Sequence, residues 1–284
     1  MQVLITGSTG RLGRLLRAAW AQNKVSGFEP LWSCRQAVHP ADVVWDILSG
    51  PAPALAKGCV VLHLAGVLHG NQAALSANAA MALTVCAAAN AAGARHVFLA
   101  SSAAVYGMGQ ADHDETDAPA PQSDYGRAKL AMERKARHWA HLSGPDSPGI
   151  TCLRIGNVLG CDALFGEGAA GRAIVLDPVV GQACGPVRSY IGPAALAQVV
   201  SGLIGQLAQG ITLPEILNIA AAGPLGMADL LCAAQTPYQF GKPNPQTIPR
   251  VGLSTRQLDR LVPLQRADAA AMVAEWRRVL AGVT

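Results

Sequence analysis

Gln2-Val3-Leu4-Ile5-Thr6-Gly7-Ser8-Thr9-Gly10-Arg11-Leu12-Gly13 joins an apolar run of strand length to a glycine-rich turn, and Arg14-Leu15-Leu16-Arg17-Ala18-Ala19-Trp20 continues it with helical periodicity. A buried parallel strand that turns sharply on glycine into a helix leaves backbone N–H groups pointing outward. Together with the helix dipole they make a site for phosphate. Gly7 permits the tight turn, Gly10 lets a pyrophosphate approach the backbone, and Gly13 lets the helix pack close to the sheet. The ligand-contacting set expected here is Gly7, Thr9, Gly10, Arg11, Leu12 and Gly13.

Composition narrows the class. The 284 residues are 51% apolar, ample for a buried core, with 14% charged residues and a formal charge of +4. No Lys/Arg block or basic stripe interleaved with aromatics occurs, so nucleic acid is not an expected partner. Seven scattered cysteines (34, 59, 86, 152, 161, 184, 232) form no CxxC pair and no His–Cys cluster. They read as reduced thiols of a cytoplasmic protein without a metal site. Residues 73–92 have a membrane-like length, but they are mostly alanine and carry Ser76, Asn78 and Asn90, so a core or interface helix is expected there and no membrane.

Further along, Phe28–Arg35 reads as a second strand and its exit. In a dinucleotide fold the residue that recognises the adenosine ribose stands about 20 positions past the glycines. An acid there would accept from a free 2′-hydroxyl and repel a 2′-phosphate. This chain offers Ser33 and Arg35 instead, and a guanidinium is a natural partner for a phosphate dianion. Asp42–Ile47 reads as a third strand, ending in Asp46 and Ile47; Gly58–Gly66 is a fourth, running out into Leu64, Ala65 and Gly66. Within it His63 reads as a hydrogen-bonded core histidine. The helix 72–92 and a fifth strand, Arg95–Ala100, complete an alternation that predicts an α/β fold: a Rossmann-type, doubly wound parallel sheet with helices on both faces.

The fifth strand ends in Ser101-Ser102-Ala103-Ala104-Val105-Tyr106-Gly107, on the side of the sheet where ligands lie. A loop is expected over 108–123, then a helix from Asp124 to about His141. Tyr125 and Lys129 are four apart and share one face of that helix. A nearby ammonium favours the phenolate, so Tyr125 is expected to act as acid or base near neutrality while Ser102 holds a carbonyl or alcohol oxygen.

These motifs resemble those of the extended short-chain dehydrogenase/reductases, the superfamily of nucleotide-sugar epimerases, dehydratases and keto-sugar reductases. The resemblance takes in the loop at 6–13, Asp46-Ile47, His63–Gly66, Asn78, Ser101-Ser102 with Val105-Tyr106-Gly107, and Glu115-Thr116-Asp117. It continues through Tyr125/Lys129, Arg154–Gly160 and Arg188-Ser189-Tyr190-Ile191. It implies that Ser102, Tyr125 and Lys129 are a catalytic triad, that Asp46 touches adenine, and that Lys129 also holds the nicotinamide ribose. It further implies that Asn157 and Arg188 contact the diphosphate of a nucleotide sugar. The chain departs from the pattern in four places. Ala103 and Ala104 replace the acids that dehydratases carry after the catalytic hydroxyl, and no acid stands at the second strand's exit. Gly192-Pro193-Ala194 replaces a common acid, and no second phosphate-binding arginine is evident near Lys242-Pro243-Asn244.

Two lobes are expected. Residues 1–156 form the dinucleotide-binding lobe, to which segments near 188–208 and 215–220 return; 157–284 are mainly a substrate lobe, with lid segments at 160–187 and 221–250 and a final helix from Ala267 to Leu280. The expected function is an NADP(H)-dependent oxidoreductase acting on a carbonyl/alcohol pair of a sugar-like or nucleotide-sugar metabolite. The alternative is an NAD-dependent nucleotide-sugar 4-epimerase, and a third reading is a non-catalytic cofactor sensor. A homodimer is expected, paired through helix 72–92 and the Tyr125 helix.

Overall fold

The structure, a computed structural model, describes residues 1–23, 27–166 and 173–283. The chain begins with β1 (Gln2–Thr6), α1 (Arg11–Gln22), β2 (Glu29–Cys34), β3 (Val43–Val44), β4 (Val60–His63), α2 (Gln72–Ala91), β5 (His96–Ser102) and β6 (Asp112–His113). It continues with α3 (Asp124–Leu142), β7 (Gly149–Ile155), β8 (Asn157–Val158), β9 (Ile174–Leu176), β10 (Val187–Arg188), β11 (Tyr190–Ile191) and α4 (Pro193–Ala208). The last elements are β12 (Ile216–Ile219), β13 (Leu225–Gly226), α5 (Met227–Ala233), β14 (Tyr238–Phe240), β15 (Arg250–Leu253), α6 (Arg256–Leu261) and α7 (Ala269–Leu280).

Seven strands pair in the order β12-β7-β5-β4-β1-β2-β3, all in parallel, giving the doubly wound sheet expected from the alternation. Val3, Leu4 and Ile5, Val60 to Leu62, and Val97 to Leu99 have no exposed surface, because parallel strands covered by helices on both faces are apolar on every residue. On one face Leu16 and Trp20 of α1 meet Leu196, Val199, Val200 and Leu203 of α4. On the other, Ala79, Ala82, Val85 and Ala89 of α2 and Met132 and Ala136 of α3 cover the sheet. Alanine on α2 lets the two helices lie close. Among the described residues α2 is the one helix long and apolar enough to cross a membrane; here it packs on the sheet and on α3. A second sheet, β13-β10-β15-β6, and the pairs β11-β8 and β14-β9 are built mostly from the second half of the chain.

Several boundaries differ from expectation for local reasons. β3 has two residues, because the Trp45 N–H bonds back to the Cys34 carbonyl (2.8 Å) and Asp46 caps a turn by accepting from the Leu48 N–H (3.2 Å). The loop at 108–123 contains β6, which the parallel partner β15 draws out of it. β5 runs on through Ser102, paired with Ile155. The last helix starts at Ala269, where Asp268 accepts from the Ala271 N–H (2.7 Å). Of the expected lid at 160–187, positions 167–172 lie outside the described residues.

Candidate active site

The glycine loop is shaped by contacts that only hydrogen allows at two of its three glycines. Gly7 has φ +73°, and a Cβ there would meet the Ala65 N at 2.6 Å. A Cβ on Gly13 would meet the Gly7 carbonyl oxygen at 2.5 Å and the Ser8 Cα at 2.7 Å, so α1 packs directly on the loop. Gly10 has ordinary backbone (φ −70°) and one close neighbour, the Gly7 oxygen at 3.2 Å. It caps α1 without a side-chain bond, and no acid stands in the helix's first turn. The first-turn N–H groups are therefore left to an anion, which is the chemistry a dinucleotide diphosphate needs.

Beyond the carboxyl ends of the strands lies a cavity of about 650 Å³. Its wall includes Gly7, Thr9, Gly10, Arg11, Leu12, Gly13, Ser33, Arg35, Asp46, Ile47, Leu64, Ala65, Gly66, Ser102, Tyr125, Lys129 and Asn157. Arg188 is the exception. Its guanidinium donates to the Val187 and Ile248 carbonyls (2.8 Å each), so the pairing of β10 with β15 holds it in the second sheet and off the cavity wall.

Strand alternation turns Ser102 toward the cavity and Ser101 toward α3. Ser102 accepts from the Ala104 N–H (3.2 Å), which folds the chain into a short 3₁₀ turn over 103–105. Tyr125 enters at the start of α3, where Ser123 accepts from the Gly126 N–H (3.0 Å) and fixes the first turn. Lys129 Nζ donates to the Ala100 carbonyl (2.8 Å) and lies 5.9 Å from the centre of the Tyr125 ring. Burial brings the Lys129 ammonium down to about 8, opposed chiefly by the Glu133 carboxylate. Burial raises the Tyr125 phenol, opposed by the nearby Ser102 hydroxyl. The phenol is thus protonated at neutral pH in this state, contrary to the expected pull toward phenolate. Desolvation sets the direction.

Two neighbours keep this corner in place. A Cβ on Gly66 would meet Asn78 Oδ1 at 2.8 Å and Lys129 Nζ at 3.3 Å, so the segment leaving β4 needs a residue without a side chain there. Asn78 donates to the Val67 and Leu75 carbonyls (2.9 Å each) and accepts from the Val67 N–H (3.0 Å), pinning the segment that roofs the cavity. His63 is buried, bonded to the Thr6 hydroxyl (2.8 Å), and pushed down to about 3 by burial. It is a neutral packing residue.

At the exit of β2, Ser33 is buried, and its carbonyl accepts from the Ser8 N–H (3.2 Å). The first acid after β2, Asp42, is committed elsewhere. It pairs with Arg17 (2.5 Å) and accepts from the Val38 and His39 N–H groups, and these bonds together hold it at about 2 against the opposing effect of burial. Arg17 in turn lies over the Trp32 ring at 4.7 Å. Arg35 remains exposed on the cavity rim.

Among the wall residues that were not anticipated, one is an acid. Asp162 follows β8 and lines the same cavity, and burial lifts its carboxyl to about 6. Its Oδ1 accepts from the Phe165 N–H (3.1 Å), while its buried Oδ2 has no hydrogen-bond partner among the described residues. The signal in the sequence is the acid directly after Asn157-Val158-Leu159-Gly160-Cys161. Arg11 reaches the same turn, donating to the Cys161 carbonyl at 3.5 Å.

Residues 3–175 match the NAD dependent epimerase/dehydratase family. No curated protein matches the chain. Among solved structures it is similar to MoeE5 in complex with UDP-glucose and NAD, at 20% identity and a TM-score of 0.76, covering all of both chains. It is also similar to UDP-glucose-4-epimerase from Stenotrophomonas maltophila with bound NAD and formylated UDP-arabinopyranose, at 19% identity and a TM-score of 0.77, covering 99% of this chain and 98% of that one. A third is TunA, an NAD dependent NDP-hexosamine 5,6-dehydratase, at 19% identity and a TM-score of 0.73, covering 99% and 97%. At these identities the likeness establishes the fold.

Proposed function

We propose a function for this chain from one premise: it belongs to the NAD-dependent epimerase/dehydratase family. It is an NAD(P)-dependent enzyme that interconverts an alcohol and a carbonyl on a nucleotide sugar, and the first reading is a 4-epimerase. The observation that carries this is the meeting of Ser102, Tyr125 and Lys129 with an uncapped glycine loop in one cavity. Two of the similar structures hold NAD together with a UDP-sugar, which supports the substrate class.

The loop 7–13 fits a dinucleotide: two glycines make the cradle, and the first turn of α1 offers N–H groups to a diphosphate. Ile47 and Asp46 would flank the adenine, and Lys129 the nicotinamide ribose. When bound, the nicotinamide supplies hydride transfer. Ser102 holds the sugar oxygen; Tyr125 in its phenolate form takes the proton as the alcohol becomes a carbonyl, and as the phenol returns it on re-reduction. Lys129 keeps a positive charge beside the phenol during that exchange. Ala103 and Ala104 offer no proton to a leaving hydroxyl, which disfavours a 4,6-dehydratase.

A second reading, an NADP(H)-dependent reductase, is favoured by one observation. Arg35 is exposed at the β2 exit, while Asp42 is consumed by Arg17 and its own loop. One experiment separates the readings. The nucleotide released on denaturing freshly purified protein is identified, and UDP-hexoses are incubated without added cofactor. Retained NAD with interconversion of C4 epimers supports the epimerase. Empty protein that oxidises added NADPH against a keto-sugar supports the reductase. Failure of both, with no cofactor bound, refutes the enzymatic reading. The same family reading carries a cytoplasmic homodimer, paired through the outward Ala73, Ala80 and Ala87 of α2 with α3. A monomer mass by light scattering at high micromolar concentration refutes the dimer.

A further inference from the structure

Two consecutive residues of β5 each hold a residue of α3, and the next one faces a third. The Ala100 carbonyl accepts from Lys129 Nζ (2.8 Å), the Ser101 hydroxyl donates to Glu133 Oε1, and the Ser102 hydroxyl lies near the Tyr125 phenol. Positions 125, 129 and 133 are spaced four apart and form one face of the helix. Glu133 stands at the foot of that face and is 1% exposed.

Its carboxylate lies between two strands. Ser101 and Arg154 are register partners on β5 and β7. Arg154 grips both carboxylate oxygens, through Nη2 at 2.8 Å and Nε at 3.1 and 3.2 Å, and its guanidinium lies 4.6 Å from the centre of the Tyr106 ring. A buried ion pair gains little stability over an apolar pair of the same volume, so stability is a poor reason for its presence. Its neighbour one turn back is the buried Lys129.

We propose that Glu133 is a positioning residue of this active site: it fixes the register of α3 on β5, and its negative charge keeps the buried Lys129 ammonium protonated. This rests on the reading of Lys129 given above. The groups around Lys129 leave the task to Glu133. From β4, His63 is buried and neutral; from β7, the Cys152 thiol is pushed up by burial and is neutral, and Arg154 is a cation, which cannot favour the Lys129 ammonium. From α2, the Cys86 thiol is pushed up to about 12 and is neutral. On α3, Tyr125 is protonated, and Arg137 pairs with Glu215 at 2.6 Å.

The test reads the lysine directly. Protein carrying ¹³Cε-labelled lysine is titrated by NMR, with the Lys129 signal assigned by its absence in Lys129→Met. Glu133→Gln, which keeps the shape and removes the charge, is expected to lower the Lys129 midpoint by about one pH unit or more, and Glu133→Asp to restore it. A folded Glu133→Gln with the wild-type midpoint overturns the proposal. If that variant does not fold, Glu133→Gln with Arg154→Gln removes both charges. A smaller shift in the same direction is then expected, and an unchanged or raised midpoint overturns the proposal. Affinities for NADH and NADPH are followed in parallel. If they ignore the Lys129 titration while the midpoint shifts, the cofactor-holding reading of Lys129 fails and the role of Glu133 stands.

Discussion

Gly10 and Gly13 belong to one loop, yet their replacement by alanine is expected to give opposite signatures. In Gly13→Ala the new methyl is placed 2.5 Å from the Gly7 oxygen and 2.7 Å from the Ser8 Cα and oxygen. Ordinary contact begins at 3.4 Å, so α1 must move off the loop by about 0.9 Å, and no flexible side chain is there to yield. Overpacking of this kind costs about 2–3 kcal/mol, or a fall in Tm of about 5 °C or more for a chain of this size. In Gly10→Ala the backbone at φ −70° accepts a side chain, and the Gly7 oxygen at 3.2 Å needs to give by only a few tenths of an ångström. That cost is offset by the smaller entropy of the unfolded chain, about 0.4–1 kcal/mol, so Tm stays within about 2 °C of wild type. The Gly10 methyl instead covers the surface a diphosphate must approach, and affinity for NADH and NADPH is expected to fall by at least about tenfold. Thermal unfolding of the cofactor-free protein and fluorescence titration of both nucleotides read the two effects separately. Wild-type affinity in Gly10→Ala would show that no diphosphate lies on this loop. An unchanged Tm in Gly13→Ala would refute the packing argument.

Tyr125→Phe removes the transferable proton and little volume; turnover is expected to vanish while nucleotide affinity stays near wild type, and near-normal turnover on an identified substrate refutes the acid–base role. Arg35→Ala is expected to weaken NADPH by about tenfold and leave NADH nearly unchanged, and Arg35→Glu to favour NADH; the contrast should shrink with salt because Arg35 is exposed, and equal losses for both nucleotides refute the assignment. Burial depresses Lys129 to about 8 from the ordinary lysine value of 10.5, so below pH 8 its buried charge opposes folding, and stability gains as pH rises through 8 to 10.5. Lys129→Met is therefore expected to be more stable than wild type at pH 7, by about 2–4 kcal/mol in urea, with the gain gone near pH 10.5; a variant less stable at pH 7 refutes the sign.

Features set by neighbours along the chain were legible in the sequence. The glycine spacing, the wholly apolar runs of β1, β4 and β5, and the Tyr125–Lys129 spacing each need only local geometry to be read. What escaped is fixed by distant partners. Arg188 has the residue type for a phosphate, but the Ile248 carbonyl, 60 positions away, takes its guanidinium. The two-residue strands β6, β10 and β13 are too short to show any period and exist through their pairing. Asp162 reads as a loop acid until the fold buries it beside the Tyr190 hydroxyl. The phenol of Tyr125 shows the same limit: spacing reports the ammonium nearby, and only the fold reports the desolvation.

The edge strand β12, at Ile216–Ile219, pairs with β7, which ends at Ile155. During synthesis the strands up to β7 emerge first, and β7 must then wait for roughly sixty residues before its outer edge is covered. At ribosomal speeds of about 5–20 residues per second, that wait is roughly 3–12 s. A parallel edge of Cys152, Leu153 and Arg154, all buried in the finished sheet, is open to mispairing throughout that interval. The nascent chain's exposure to chaperones and to its own neighbours is therefore set by the length of the excursion that builds β8 to β11 and α4.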